Sequence, residues 1–295
     1  CGLGTYQALT SQSSCNDADA GYYVNQTTQT NQTECGLGTY QALTGQSSCD
    51  DADAGYYVNQ TTQTTQTECG LGTYQALTSQ SSCNDADAGY YVNQTTQTMQ
   101  TECSIGTYQV LTGQSSCDDA DAGYYVNQTA QTTQTECSIG TYQSLTVQSS
   151  CNDSDVGYYV GQTAQINQTE CGLGTYQALT SQSSCNDADA GYYVNQTTQT
   201  NQTECGLGTY QALTGQSSCD DADYGYYVNQ TTQTTQTECS IGTYQATTGQ
   251  FSCDDADAGY YVATTAQTNQ TECSIGTYQT WTGQAYCNDA DAGYY

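Results

Sequence analysis

Short segments rich in aromatic and β-branched residues alternate with polar stretches along the whole chain. Residues 5–10 and 22–27 are two such segments, and Gly4 and Gly21 stand directly before them. Threonine, tyrosine and valine favour extended backbone, so we predict a short β-strand in each segment. Because Pro is absent, Gly, Asn and Asp must form the turns. The pattern predicts a mainly β chain with much irregular structure and no helix beyond a turn or two.

The pattern starts again every 34 residues, and the first and sixth copies are identical. A fixed period of this size indicates tandem units that each contact mainly their neighbours. We therefore predict an elongated, disulfide-stapled rod of short strands and turns. Neither end carries an atypical capping unit, so we expect a mature product or a window from a longer array. The predicted repeats are 1–34, 35–68, 69–102, 103–136, 137–170, 171–204, 205–238, 239–272 and the partial copy 273–295.

Each unit contains an older repeat of 17 residues, because residues 4–6 align with residues 21–23. Alternate residues of a strand point to opposite faces. The alignment therefore predicts that Tyr6 and Tyr23 share one inward site while Tyr22 faces outward. The other apolar candidates for the interior are Leu9 and Val24. Stacked copies would place tyrosine beside tyrosine along the array, and small local cores filled by tyrosine are the alternative.

The 17-residue alignment also bears on the cysteines. It places Cys1 on Ala18 and Cys15 on Gln32, so one half-unit carries both cysteines and the other carries none. We predict a bridge between Cys1 and Cys15 and between their equivalents. A ladder from Cys15 to Cys35 and onward remains the alternative, because spacing alone does not fix connectivity. The cysteines are Cys1, Cys15, Cys35, Cys49, Cys69, Cys83, Cys103, Cys117, Cys137, Cys151, Cys171, Cys185, Cys205, Cys219, Cys239, Cys253, Cys273 and Cys287.

The 18 cysteines are even in number and regularly spaced, and the chain has no His and no C-x-x-C pair for a structural zinc site. Disulfides are the better interpretation, and they imply an oxidising, extracellular location, secreted or at the cell surface. A unit so rich in Gln, Thr, Ser and Gly buries little apolar surface. A bridge that closes a 15-residue loop contributes about 3 kcal/mol, so we expect order to depend on bridges and stacking.

The charge balance excludes several partners. The chain has 30 acidic residues and no Lys, Arg or His. No group can neutralise phosphate, which excludes nucleic acid. Anionic membrane surfaces are excluded for the same reason, and no segment is long and apolar enough for membrane insertion. Like charges in every unit also favour an extended chain over a compact one.

The spacing C-x-x-G-T-Y-x(8)-C, followed by G-Y-Y, resembles the cysteine-rich repeats of ephrin-receptor-like ectodomains, and more distantly those of tumour-necrosis-factor receptors. The resemblance implies an elongated, disulfide-stapled extracellular rod with little regular secondary structure. The chain departs from that family because it lacks the Pro after the first Cys and a further Cys near Ala18. The residues that carry the likeness, with their copies, are Cys1, Gly4, Thr5, Tyr6, Cys15, Gly21, Tyr22 and Tyr23.

The Thr-rich tail of each complete unit carries at least one N-x-T sequon, and Asn152 begins an additional N-D-S sequon. We predict N-glycosylation, since a hydrophilic coat would shield strand edges that invite lateral association. The predicted acceptors are Asn25, Asn31, Asn59, Asn93, Asn127, Asn167, Asn195, Asn201, Asn229 and Asn269.

An acidic motif, Asp17-Ala-Asp19-Ala-Gly21, resembles the opening of a calcium loop. A Gly stands at the third acidic position and Thr28 at the twelfth, so turns that bond to their own backbone are the favoured interpretation. We predict no cofactor, with Ca²⁺ as the alternative. Without His, Lys or Arg there is no base poised near neutral pH and no cationic clamp, so we expect no enzyme activity.

Two function classes remain. The first is an extracellular structural protein, a glycosylated acidic rod that forms a filament, fibril or surface stalk through contacts with itself. The second is an adhesin or a receptor-like binding ectodomain that gains avidity from repetition. Cross-β assembly of the Gln, Asn and Thr tracts is a third possibility.

Overall fold

The computed structural model describes residues 1–293, and these form short strands, turns and bends without a helix. The predicted class is confirmed: the chain is a tandem array of short antiparallel strand pairs stapled by disulfides. It divides into two compact units, one of Cys1–Cys137 with Gln143–Cys151 and one of Ser138–Tyr142 with Asn152–Tyr295. The last two residues of the partial repeat 273–295 lie outside the described residues.

Four strands of two residues occur in each complete repeat, and they follow the 17-residue period. The first strands are Thr5–Tyr6, Thr39–Tyr40, Thr73–Tyr74, Thr107–Tyr108, Thr141–Tyr142, Thr175–Tyr176, Thr209–Tyr210, Thr243–Tyr244 and Thr277–Tyr278. The second strands are Asn16–Asp17, Asp50–Asp51, Asn84–Asp85, Asp118–Asp119, Asn152–Asp153, Asn186–Asp187, Asp220–Asp221, Asp254–Asp255 and Asn288–Asp289. The third strands are Tyr22–Tyr23, Tyr56–Tyr57, Tyr90–Tyr91, Tyr124–Tyr125, Tyr158–Tyr159, Tyr192–Tyr193, Tyr226–Tyr227 and Tyr260–Tyr261. The fourth strands are Thr33–Glu34, Thr67–Glu68, Thr101–Glu102, Thr135–Glu136, Thr169–Glu170, Thr203–Glu204, Thr237–Glu238 and Thr271–Glu272.

Each half-unit is one hairpin with a long loop. Thr5 pairs with Asp17, and in the other half-unit Tyr22 pairs with Glu34. The predicted strands over 5–10 and 22–27 begin at the expected places but end after two residues. The acidic return strands were not predicted, because Asn, Asp and Glu are poor strand formers and only their distant partners make them extended.

Consecutive half-units are joined by main-chain hydrogen bonds that repeat every 17 residues within each compact unit. Gly4 N–H donates to Val24 O at 2.8 Å, and Gly21 N–H donates to Gln41 O at 2.8 Å. The same step recurs in the second unit, for example from Gly174 N–H to Val194 O at 2.8 Å. Because main-chain groups join each half-unit to the next, these hydrogen bonds are kept where the side chains differ between repeats.

The interior of each repeat is small and partly polar. Val24, Ala18 and Cys35 are buried, and so is the side chain of Gln41, which is only 3% exposed. Gln41 stands where Val24 stands in the other half-unit. The prediction of Leu9 as an interior residue is wrong, because its side chain is 67% exposed. Leu9 lies in the long loop beyond the short strand, where nothing covers it.

The buried glutamine is held by the loop that its own disulfide closes. Gln41 Nε2 donates to Ser48 O at 2.9 Å, and Gln41 Oε1 accepts from Leu43 N–H at 3.0 Å. Both polar ends of the side chain are therefore satisfied, which removes most of the cost of burying an amide. The expected contrast between an inward Tyr23 and an outward Tyr22 is not found, since both are half-buried.

The half-unit without cysteines closes its loop with a side-chain contact that we call the Asp–Gln clasp. Asp53 N–H donates to Gln66 Oε1 at 2.7 Å, and Gln66 Nε2 donates to Asp53 Oδ2 at 2.7 Å. Gln66 occupies the place of Cys49 in the alignment of the half-units. All eight complete repeats have this clasp, with distances of 2.6–2.7 Å.

We expect Ala52→Cys/Gln66→Cys to form a tenth disulfide in place of one clasp. Ala52 N–H donates to Gly38 O just as Cys69 N–H donates to Gly55 O, and Ala52 and Cys69 are both 0% exposed. Closing a 15-residue ring contributes about 3 kcal/mol, part of which offsets the lost clasp. The measurement is thiol titration and intact mass. Each single cysteine variant is the control, and a double variant that keeps two free thiols would contradict the equivalence of the half-units.

Candidate functional surface

The predicted glycosylation acceptors all lie on the surface. Every one of the ten N-x-T asparagines is exposed. In most repeats the acceptor stands two residues after the second tyrosine of the third strand, as Asn59 follows Tyr57. Tyr57 and Asn59 line the same surface cavity, so the tyrosine ring and the acceptor are neighbours. The geometry leaves each acceptor amide accessible to a modifying enzyme.

The additional N-D-S sequon differs from the others. Its Ser154 replaces the buried alanine of the other repeats and is itself 0% exposed. The Ser154 hydroxyl accepts a hydrogen bond from Gln182 N–H at 3.0 Å. In the folded chain this serine therefore serves the packing between half-units.

A shallow cavity recurs at the junction between one repeat and the next. In three places the lining shares the tyrosine and the acceptor asparagine of one repeat, the glutamate before the next Cys, and hydroxyl residues of the next disulfide loop, with Leu71 added in one copy and Phe251 in another. In one copy these are Tyr57, Asn59, Glu68, Thr73 and Ser82, with a volume of about 370 Å³. The other two copies, around Asn93 and Asn229, each measure about 300 Å³. We call these the sequon cavities.

The fifth repeat provides a natural variant of this arrangement. Gly161 stands where six of the eight complete repeats have the first acceptor, and the acceptor of this repeat is Asn167. A cavity of about 270 Å³ here is lined by Tyr159 together with Asn167. A Cβ placed on Gly161 would lie 3.6 Å from the Tyr159 ring, which shows how close an asparagine at that position sits to the tyrosine. In all four cavities a sequon asparagine and this tyrosine line the same space.

The acidic residues are distributed over the surface. All 30 carboxylates are exposed. The two aspartates of the calcium-like motif have different places, because Asp17 lies in the second strand opposite Thr5, while the Asp19 carboxylate accepts from Gln32 Nε2 in the clasp. Within residues 1–293, no three His, Cys, Asp or Glu side chains come together as a metal site requires.

Four tyrosines have a raised pKa, and each faces an Asp across the first hairpin. Burial raises the pKa of Tyr40 above its ordinary value of 10.0, and the charges of Asp53 and Asp50 raise it further. The other three are Tyr108, Tyr210 and Tyr244, with the same causes in the same order. The fold holds these phenol protons more tightly than the unfolded chain, so stability falls as the pH rises above about 10.

We expect replacement of the four facing aspartates by Asn (Asp50, Asp118, Asp220 and Asp254) to lower the pKa of these four tyrosines. Each substitution removes one of the charges that oppose the phenolate. The measurement is a tyrosinate titration by absorbance or by NMR of labelled tyrosine. The matched control replaces the neighbouring aspartates by Asn (Asp51, Asp119, Asp221 and Asp255), which removes as many charges from positions opposite Thr. An equal shift in both variants would mean that net charge alone sets the pKa.

The cysteines pair within each repeat. The structure has nine disulfides, from Cys1–Cys15 to Cys273–Cys287, with Cα–Cα distances of 5.5–5.8 Å. No cysteine in the described part of the chain is free. Disulfides at this density are typical of an oxidising environment.

Residues 1–293 contain no helix with the length and hydrophobicity that a membrane crossing requires. No family model matches the chain, and no curated protein is found to be similar to it.

Sequence reasoning missed the residues that surround the acceptors. Glu68 and Ser82 belong to different repeats along the chain, so no local pattern joins them. The spacing Y-x-N-x-T was the available signal, since it separates the tyrosine from the acceptor by a single residue.

Proposed function

We propose that the protein is an extracellular structural repeat protein, a glycosylated acidic rod that forms a filament, fibril or surface stalk. The observation that carries the proposal is the main-chain contact between half-units, such as Gly38 N–H to Val58 O at 2.8 Å, which is the same at every step within each compact unit. One end of each half-unit is therefore complementary to the other end of its neighbour. At the end of any such array the last half-unit presents these donors without a following half-unit. The first half-unit presents the matching acceptors, so a heterologous contact can propagate without closing.

The charge and the sequons support an external, solvated role. Thirty exposed carboxylates with no cation in the chain keep neighbouring molecules apart except at matched ends. Glycans on the ten exposed acceptors would restrict lateral association further. We propose secretion or display at the cell surface, no catalytic activity, no resident cofactor, and no nucleic-acid or membrane partner. Its partners are then its own copies and covalent glycans.

The experiment combines intact mass with electron microscopy of the full chain secreted from a glycosylating host. We expect a mass above that of the polypeptide, which falls to the polypeptide mass after enzymatic release of glycan. We also expect fibres that lengthen with protein concentration. Monodisperse particles at all concentrations would reject the filament, and a mass equal to the bare polypeptide would reject the coat.

A binding ectodomain is the second candidate. The recurring sequon cavities favour it, because equivalent polar cavities at successive repeats, such as those around Asn59 and Asn93, offer one ligand more than one contact. Monodisperse protein that captures one defined ligand would select this candidate.

A further inference from the structure

We propose that each sequon cavity is a seat for a neutral pyranose sugar, and that the first sugar of the glycan on the adjoining asparagine occupies it. The tethered case rests on the glycosylation proposed above. The binding site itself does not depend on that glycosylation, because a free saccharide presents the same C–H face and hydroxyl groups as an attached one. The inference therefore assigns a carbohydrate-binding surface to the junctions between repeats.

The lining matches the two kinds of surface that a pyranose presents. One face of the sugar ring carries mainly C–H groups, which pack on an aromatic ring such as Tyr57. The rim carries hydroxyl groups, which donate to the Glu68 carboxylate and exchange hydrogen bonds with Thr73 and Ser82. A volume of about 370 Å³ with an open mouth suits one sugar whose far side remains attached to a longer chain.

The charge of the cavity selects among sugars. Glu68 is exposed and has no cation to pair with anywhere in the chain. A carboxylated sugar would meet this carboxylate at close range and be repelled. Neutral hexoses and N-acetylated hexosamines meet no such penalty.

The position of the acceptor asparagine indicates which sugar would occupy the cavity. Asn59 lines the same cavity as Tyr57, so a sugar attached to its amide begins within reach of the ring. Tethering makes the contact intramolecular and gives it a high effective concentration. In the fifth repeat the acceptor is displaced to Asn167, and there too it shares a cavity with the tyrosine, Tyr159.

One backbone hydrogen bond next to each sequon cavity can report whether a sugar is bound there. Val58 lies between the tyrosine and the acceptor, and its N–H donates to Gln80 O at 3.0 Å. Val92 and Val228 make the same bond to Gln114 and Gln250 in the other two copies, also at 3.0 Å. A sugar that packs on the tyrosine must leave before this segment can open. Hydrogen exchange at the three valine amides therefore measures occupancy at each cavity.

The first experiment compares exchange at these amides in the glycosylated chain and after enzymatic release of glycan. We expect the glycan to slow exchange about twofold to tenfold, the effect of one aromatic contact. Tyr57→Leu/Tyr91→Leu/Tyr227→Leu should abolish the difference, and the corresponding Phe variant should keep it. The control, Tyr56→Leu/Tyr90→Leu/Tyr226→Leu, changes adjacent tyrosines that do not line the cavities and should also keep it.

The second experiment uses the unglycosylated chain and free N,N′-diacetylchitobiose, followed by NMR of labelled tyrosine. We expect saturable shifts at Tyr57, Tyr91 and Tyr227, kept in Tyr56→Leu/Tyr90→Leu/Tyr226→Leu, and no shifts with glucuronic acid. Success here without a glycan effect in the first experiment assigns the seats to saccharide from another molecule. If intact mass shows no glycan, the proposed coat fails and this titration alone decides. Absence of both effects would overturn the inference.

Discussion

Reduction of the nine disulfides is expected to unfold the array. Each bridge closes a 15-residue loop, which contributes about 3 kcal/mol. In the second repeat, for example, the interior that would remain consists of Val58, Ala52 and Gln41, too little to hold a chain of short strands. The measurement is amide hydrogen exchange and circular dichroism of the full chain before and after reduction and alkylation. We expect the slowly exchanging amides to disappear.

The clasp supplies a matched control for the loss of a bridge. Cys69→Ala/Cys83→Ala opens one loop, whereas Cys69→Ala/Gly70→Asp/Cys83→Gln should rebuild the clasp of the other half-unit at that position. We expect the rebuilt loop to exchange more slowly than the open one. A reduced chain that keeps its protected amides would instead support cross-β assembly, in which the disulfides are dispensable.

Gly38→Ala is expected to destabilise its part of the array by about 2–5 kcal/mol, from left-handed backbone and overpacking together. Gly38 has φ of +77°, and an added Cβ would overlap the main-chain carbonyl of Ser79. Because that carbonyl belongs to the main chain, a side-chain rotation cannot relieve the overlap. Gly38 also donates to Val58 O and accepts from Ala52 N–H, both at 2.8 Å, so a shift there breaks the contact between half-units.

The control is Gly36→Ala, two residues away. A Cβ on Gly36 would meet nothing within 4 Å, and its backbone is not left-handed. We expect this variant to match the parent or to gain slightly from the loss of a flexible glycine. Peptide-resolved hydrogen exchange distinguishes the mutated repeat from its copies, because the substitution changes the peptide mass. Equal exchange in the two variants would show that the close approach at Gly38 is not part of the folded contact.

The elements that local chemistry specifies were predictable. Strand starts at Thr5 and Tyr22 follow the glycines that precede them, and exposed acceptors follow from the polarity of the tails. The return strands were not predictable, since Asn16 and Thr33 become extended only because a partner lies opposite them.

The interior shows the limit of pattern reasoning. A hydrophobicity scale places Leu43 inside and Gln41 outside, and the structure has the reverse. The glutamine is buried because the disulfide loop offers Ser48 O and Leu43 N–H as partners. These hydrogen-bond partners are brought into place when the disulfide closes the loop, and the identity of a single residue does not predict that.

By itself the sequence determined the period, the β character, the acidic and cation-free composition, and the positions of the N-x-T sequons. These depend on composition and on spacing along the chain. Only the tertiary structure decided that loops close either by a bridge or by an Asp–Gln clasp, and that Tyr57, Asn59 and Glu68 meet residues of the next repeat in one cavity. The reason is physical: each contact joins residues far apart along the chain, across one hairpin loop in the bridge and the clasp and across two repeats in the cavity, so no local pattern places them together.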